Sequence, residues 1–366
     1  MIILLIELFF VLLFPFIGKR SLKRYFLFVC LILSGIAFFF QPPDNFDLYR
    51  HYQTLDNFRA NGWTAVKNIY FFSTAPVYAL YFYFISILPM NGFLPAITVF
   101  ITYYLTFSLI YKISLKYKVS KKNTMMVFIF VIFGLDYLSA ISGVRNILAF
   151  SIFAYCLYYD LVEEKNRILC FIVYGMMCLL HNSCVILLGF RIVMFLYNKY
   201  TKRIFQIVFF LWGIFVPFIV KVLDSIPNYY LNQISEKIKT YFVGMMFNAN
   251  LTLFNLGMSI LILVIVVAYK NIDEHYSKHT DYLILAVLFT IGSVKQYDVF
   301  IRMGSFLVLS SPYYILRFLN HEKISCDKNL LKIKNLNIIV NIGIIIISIL
   351  GFMYQMVAYK SLVFAI

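Results

Sequence analysis

MIILLIELFFVLLFPFIGKRSLKRYFLFVCLILSGIAFFF, residues 1–40, carries two apolar runs with a short basic connector between them. Residues 2–17 and 25–40 each suit a hydrocarbon core about 30 Å thick, and Lys19, Arg20, Lys23 and Arg24 lie between the runs. Positive charge follows the first run instead of preceding it, and no small-x-small site appears. The first helix is therefore expected to stay in place and not to be a cleaved secretory signal. The period-two alternation of a barrel wall is absent, so these runs read as helices.

The pattern repeats along the chain. Further apolar runs occupy 93–111, 124–139, 144–160, 168–180, 183–197, 204–220, 251–269, 281–294, 302–318 and 336–358. With 62% hydrophobic and 13% charged residues, residues 1–366 form a single integral membrane domain with no soluble domain. The expected fold is an all-α polytopic membrane protein of about 12 transmembrane helices. The short runs at 168–180 and 183–197 are candidates for tilted or broken helices.

A net charge of +16 would suggest nucleic acid in a soluble protein. Here Lys and Arg concentrate at 18–24, 112–122, 165–167, 191–203, 270–278 and 317–334, between apolar runs. The positive-inside rule assigns such connectors to the cytoplasm, so no nucleic-acid partner is implied. Placing 18–24 and 112–122 on the same side allows two crossings between them, at 25–40 and 93–111. The stretch 69–88, with Ser73, Thr74 and Pro76 near its start and Pro89 after it, is then interfacial or re-entrant. Segments 41–92 and 222–250 become external loops, and both termini fall outside. The six cysteines show no CxxC or metal-ligand spacing and read as packed thiols.

That topology collects unusual residues on one face. In QPPDNFDLYRHYQTLDNF (41–58), Asp44 or Asn45 can cap a helix whose Leu48, Tyr52 and Leu55 share an apolar face. Its polar face presents Asp44, Asp47, Arg50 and His51. In SGVRN (142–146), Gly143 breaks the chain before a helix with Arg145 in its first turn. A cation there opposes the helix macrodipole, but a bound anion between the guanidinium and the backbone N–H groups resolves the conflict; snorkelling to headgroups is the alternative. His181, with Asn182 and Ser183, marks the turn between two apolar runs. Lys295, Tyr297, Asp298 and Arg302 cluster at the mouth of another, with Asp298 and Arg302 one helical turn apart. A structural ion pair competes with substrate contact at that last pair. A charge at the bilayer centre costs roughly 2.5–3.5 kcal/mol, so charged residues at the mouths of spans need compensation. Planar guanidinium groups pair bidentately with phosphate oxygens, which makes a diphosphate a good match.

These residues resemble the EpsG family of bacterial polysaccharide polymerases, Wzy-type enzymes in the broad sense. The resemblance covers roughly 45 to 320. It rests on Asp47–x–Tyr49 in the first outer segment, Gly143–x–Arg145 with Ala149 four residues on, His181–x–Ser183, and the late Arg302. One feature departs from the family pattern: Ala75 precedes Pro76 where the family commonly has Glu, so no catalytic role for that carboxylate carries over.

The resemblance implies a GT-C-like glycosyltransferase that joins oligosaccharide repeat units carried on undecaprenyl diphosphate. It would work at the periplasmic face of the bacterial inner membrane, among membrane lipids, and it leaves room for a chain-length regulator protein as partner. Arg145 and Arg302 would neutralise the departing diphosphate, and Asp47 or His181 would take the acceptor's proton. Arg50, Asp44, Tyr297 and Asp298 would contact substrate. No cofactor is expected, since the sugar arrives on its lipid and no phosphate-cradling glycine loop is present. Asp44 and Asp47 alone do not define a metal site, and none is assigned. A lipid-linked oligosaccharide flippase, an O-antigen ligase and a membrane acyltransferase are the competing readings.

Overall fold

The computed structural model of the protein describes all residues except 1, 45, 74, 229–230, 233–234, 237–238, 240–247, 273–277, 321–329, 360–362 and 365–366. Asn45, Thr74, Cys326 and much of the 222–250 loop thus lie outside the described residues. The chain is helical almost throughout. A helix satisfies its backbone groups internally, which a bilayer interior demands.

In chain order the helices are α1 (Ile2–Leu13), α2 (Leu22–Phe38), α3 (Asp47–Phe72), α4 (Val77–Ser86), α5 (Phe93–Lys116) and α6 (Lys121–Gly134). Then come α7 (Tyr137–Ser142), α8 (Val144–Leu161), α9 (Arg167–Leu180), α10 (Cys184–Leu196) and α11 (Thr201–Asp224). The last five are α12 (Ala249–Ile272), α13 (Lys278–Gly292), α14 (Tyr297–Ser310), α15 (Pro312–Asn320) and α16 (Leu330–Ala358). Two short strands, Phe40–Gln41 and Val363–Phe364, pair antiparallel with Phe40 opposite Phe364.

Among the described residues, five helices are long and apolar enough to cross a bilayer, within Lys19–Phe38, Phe93–Lys116, Thr201–Asp224, Ala249–Lys270 and Leu336–Ala358. The run expected at 302–318 is instead two helices, α14 and α15, bent by 47° and together equivalent to a sixth span. Pro312 explains the bend, because it lacks an N–H and clashes with the preceding turn. α9 and α10 have 14 and 13 residues. At 1.5 Å per residue each reaches about 20 Å, short of a full crossing.

α3 is long but does not suit a bilayer crossing, since it carries Asp47, Arg50, Asp56, Arg59 and Lys67. Leu48 and Leu55 on one face are fully buried while Asp47 and Arg50 stay exposed, which is the two-faced pattern of an interfacial helix. Among the described residues no side chain caps α3: its N-cap is Phe46, and Asp44 lies two residues earlier, exposed. Gly62, at φ 56°, kinks the helix in a region that residues with a Cβ avoid. Arg59 then folds α3 onto α4, donating from Nε to the Ser86 carbonyl (3.1 Å) and from Nη2 to the Leu88 carbonyl (3.1 Å).

The interior is dense with rings. Phe14, Tyr25, Phe26, Phe107 and Phe128 from four segments meet with centroids 5.1–6.2 Å apart. The five described cysteines are free thiols.

The basic connectors gather at one end of the bundle. Lys19, Lys118 and Lys121 line one cavity together, and Lys116 bonds Glu163 at 2.9 Å. Asn320 Nδ2 donates to the Tyr117 carbonyl at 2.9 Å, bringing the end of α15 there too. Arg191 corrects the connector reading. It is a buried α10 residue, 3% exposed, and it pairs with Asp160 inside the bundle.

Candidate functional site

At the other end of α8 lies a cavity of about 410 Å³. Its wall is built from four places in the chain: α3, the α7–Gly143–α8 corner, the turn between α9 and α10, and the start of α14. Asp47, Arg50, Arg145, His181, Tyr297, Asp298 and Arg302 all line it. These belong to the polar residues read from the sequence as one outer-face constellation; Asp44, Asn182, Ser183 and Lys295 are not in the wall. Asp44 does not line the cavity, because the Pro43–Phe46 turn leaves it exposed ahead of α3. Lys295 is likewise exposed beyond the wall.

The corner that carries Arg145 depends on close backbone contact. Asp136 caps α7, accepting from the Leu138 and Ser139 N–H groups at 3.3 and 3.1 Å, and Ser139 Oγ donates to it at 2.7 Å. α7 ends after Ser142, and the chain turns at Gly143 to start α8. A Cβ at Gly143 would sit 2.8 Å from the Ser139 carbonyl oxygen, too near for any other residue without a backbone shift. The first-turn N–H groups of α8 have no carbonyl one turn back within the helix, and they lie at the cavity wall beside Arg145. The Arg145 guanidinium rests over the Tyr78 ring, 4.7 Å from its centroid. α4 therefore supports the arginine from behind by a cation–π contact.

α3 supplies a second cation and a carboxylate. Arg50 Nη2 lies 2.7 Å from Asp47 Oδ1, one turn away on an exposed face. The pair is open to water, so it is weak and able to exchange partners. His51, next along α3, also lines the cavity and meets Phe82 edge-on at 5.1 Å. Burial first, then the positive charge of Arg145 and Arg50, pull its pKa down to about 3. The imidazole is therefore neutral at any physiological pH.

α14 presents Tyr297, Asp298 and Arg302 to the same space. Asp298 lies within the electrostatic reach of both Arg302 and Asp47, so carboxylates from α3 and α14 share the cavity. Its Oδ2 is buried and accepts no hydrogen bond from a described residue; Asn146 Oδ1 is in the same state. Buried polar atoms are normally satisfied, so a wall holding two open acceptors is suited to a polar ligand. His181 closes the remaining side, with Nε2 3.2 Å from Ser183 Oγ and its ring edge-on to Phe150 at 6.4 Å.

His51, Asn146, Ser139, Ser142 and Ser305 belong to the wall although the sequence did not single them out as site residues. His51 shares the polar face of its helix with Asp47 and Arg50, and only its neighbours mark it as different. Ser139 and Ser142 stand three apart just ahead of Gly143, which puts them on one side of a short helix.

Three arginines, two carboxylates and two histidines thus meet at one end of the bundle, opposite the basic connectors. Such a cavity can hold a doubly charged phosphate ester while leaving a carboxylate or imidazole beside it. No curated protein and no solved structure matches the chain. The sequence model of the EpsG family matches residues 23–363, almost the whole length. This protein therefore belongs to the EpsG family, membrane proteins of the Wzy-like polymerase type in polysaccharide biosynthesis.

Proposed function

We propose that the protein is a GT-C-like glycosyltransferase that polymerises oligosaccharide repeat units carried on undecaprenyl diphosphate. The reaction takes place at the periplasmic face of the bacterial inner membrane, with about a dozen membrane segments framing the site. The observation that carries this reading is the convergence of Arg50, Arg145 and Arg302 with Asp47, Asp298 and His181 on one cavity at the end of α8.

In the reaction, an acceptor sugar hydroxyl attacks the anomeric carbon of the donor glycan. The bond from that carbon to the diphosphate oxygen breaks, and the lipid diphosphate leaves with the electron pair. Arg145 and Arg302, aided by the α8 N-terminus, stabilise the growing negative charge. Asp47 or His181 takes the hydroxyl proton. Tyr297, Asp298 and Arg50 hold sugar hydroxyls and phosphate oxygens. The donor's own phosphoester supplies the driving force, so neither nucleotide sugar nor ion gradient enters. A chain-length regulator would act as a separate partner.

A flippase is the second reading. It would need charges along a path across the midplane. The cavity groups instead gather at one end of the bundle.

The deciding experiment incubates purified protein in detergent with lipid-diphosphate-linked repeat units and no nucleotide sugar. Longer glycans on the lipid support the polymerase. Unchanged glycan length together with leaflet exchange of the substrate in liposomes would overturn it.

A further inference from the structure

A second cavity, about 830 Å³, opens between α2 and α5 and shares no lining residue with the arginine cavity. Its shape follows from how the two helices meet. At one end they touch backbone to backbone: a Cβ on Gly92, just before α5, would lie 2.1 Å from the Phe38 carbonyl oxygen. Ser34 Oγ donating to the Ala96 carbonyl at 2.8 Å fastens the same end. Toward Lys23 and Tyr111 the cavity lies between them, giving a wedge that is open to the side. Leu27, Phe28 and Leu31 on α2 are exposed next to it, so the opening faces the surface where hydrocarbon lies.

The wedge is amphiphilic along its length. Its floor is Phe26, Cys30 and Phe107, all buried. Phe100 and Tyr104 form a flat wall, stacked with rings 5.7 Å apart and 8° from parallel. Lys23 and Arg24 occupy the other end, beside the polar Ser108 and Tyr111. Neither cation is in an ion pair among the described residues. The nearby carboxylate Glu163 is already held by Lys112 and Lys116. From Tyr111 to Phe100 the α5 wall rises about 16 Å, roughly the depth of one leaflet.

We propose that this wedge binds an anionic glycerophospholipid. Its phosphate sits at Lys23 and Arg24, and one acyl chain runs along Tyr104 and Phe100 over the Phe26–Phe107 floor. The charge fixes the headgroup's sign, and the one-leaflet length fixes an acyl chain in place of a longer isoprenoid. The site lies on the basic end of the bundle, so it is separate from the reaction proposed above and does not depend on it.

The test is native mass spectrometry of the full chain, with phosphatidylglycerol, phosphatidylcholine and undecaprenyl phosphate offered in turn from detergent. One bound phosphatidylglycerol is expected, held at least tenfold more tightly than phosphatidylcholine. Replacing Lys23→Ala and Arg24→Ala together should weaken it about tenfold or more, since each cation near an anionic headgroup contributes appreciably. Ser108→Phe, which fills the wedge and leaves the charges, should also abolish retention; Leu27→Trp at the exposed rim serves if that variant does not fold. Lys19→Ala with Arg20→Ala removes the same charge outside the wedge and should change nothing. Equal retention of the two phospholipids would overturn the proposal. So would binding that survives both filling variants, or a preference for undecaprenyl phosphate.

Discussion

α8 carries an arginine–aspartate system at each end, and the two differ in kind. At the far end Asp160 is fully buried. Its Oδ2 accepts from Arg191 Nε at 2.6 Å and from Tyr174 at 3.2 Å, and its Oδ1 accepts from Arg191 Nη2 at 3.1 Å. Arg167 Nε adds a contact at 3.3 Å, and the Arg191 guanidinium lies between Phe171 and Phe195 at 4.9 and 5.0 Å. That network is closed. At the Arg145 end the Asp47–Arg50 pair is open to solvent, and Asp298 Oδ2 and Asn146 Oδ1 accept nothing among the described residues. The same side chains make a structural clamp where every lone pair is used, and a wall open to a polar ligand where some are left over.

The largest effect should come from breaking the closed network. Asp160→Ala leaves a buried arginine without its partner, a change that costs about 3–5 kcal/mol. It should lower the detergent melting temperature and the membrane yield, with activity falling only as folded protein is lost. The open end should behave in the reverse way. Arg145→Lys and Arg302→Lys should each reduce polymerisation about 10²–10³-fold, because an ammonium cannot reproduce the bidentate fork. Stability should stay within about 1 kcal/mol of the parent, because lysine keeps the positive charge and the cation–π contact is worth about that much. If the lysine variants polymerise like the parent, the diphosphate role of these arginines falls.

The two carboxylates of the cavity sharpen the comparison further. Asp47→Asn keeps the shape and removes a proton acceptor, so kcat should drop about 10²-fold with KM little changed. Asp298→Asn should instead raise KM, since its unfilled oxygen is placed to hold a substrate hydroxyl. A kcat loss at Asp298 with an unaffected Asp47 would exchange their roles.

Much of this contrast was visible in the chain, and part was not. Runs of apolar residues and basic connectors give the helices and their common end, because bilayer depth and leaflet charge act on each segment separately. Arg145, His181 and Arg302 stood out for the same reason: each is a charge or imidazole at the mouth of an apolar run. The Asp160–Arg191 clamp was not legible. Its members stand 31 residues apart on different helices, and Arg191 next to Lys199, Lys202 and Arg203 looks like one more connector cation. The bend at Pro312 had its residue in view, yet the apolar pattern runs straight through it. Asp44 resembles a helix cap by type, but the turn that begins at Pro43 places Phe46 there.

The smallest predicted effect concerns His51, whose neutrality depends on the cavity. Its pKa in the folded protein is depressed to about 3, against an ordinary value of about 6.5 in the unfolded chain. Between those values the unfolded chain binds a proton that the folded protein does not, so acidification favours unfolding. The contribution from His51 is fully present above pH 6.5 and is lost progressively as pH falls toward 3. At pH 5.5 the loss should be about 1 kcal/mol, since each pH unit on the slope is worth at most about 1.4 kcal/mol. His51→Gln cannot titrate, so the gap between its melting temperatures at pH 7.5 and 5.5 should be narrower than the parent's. Arg145→Gln removes one of the two positive charges that depress the imidazole, so it should narrow the gap in part. An identical acid response in the parent and in His51→Gln would mean that the imidazole is not held neutral. The electrostatic link between α3 and the Arg145 corner would then be lost from the description of the open end.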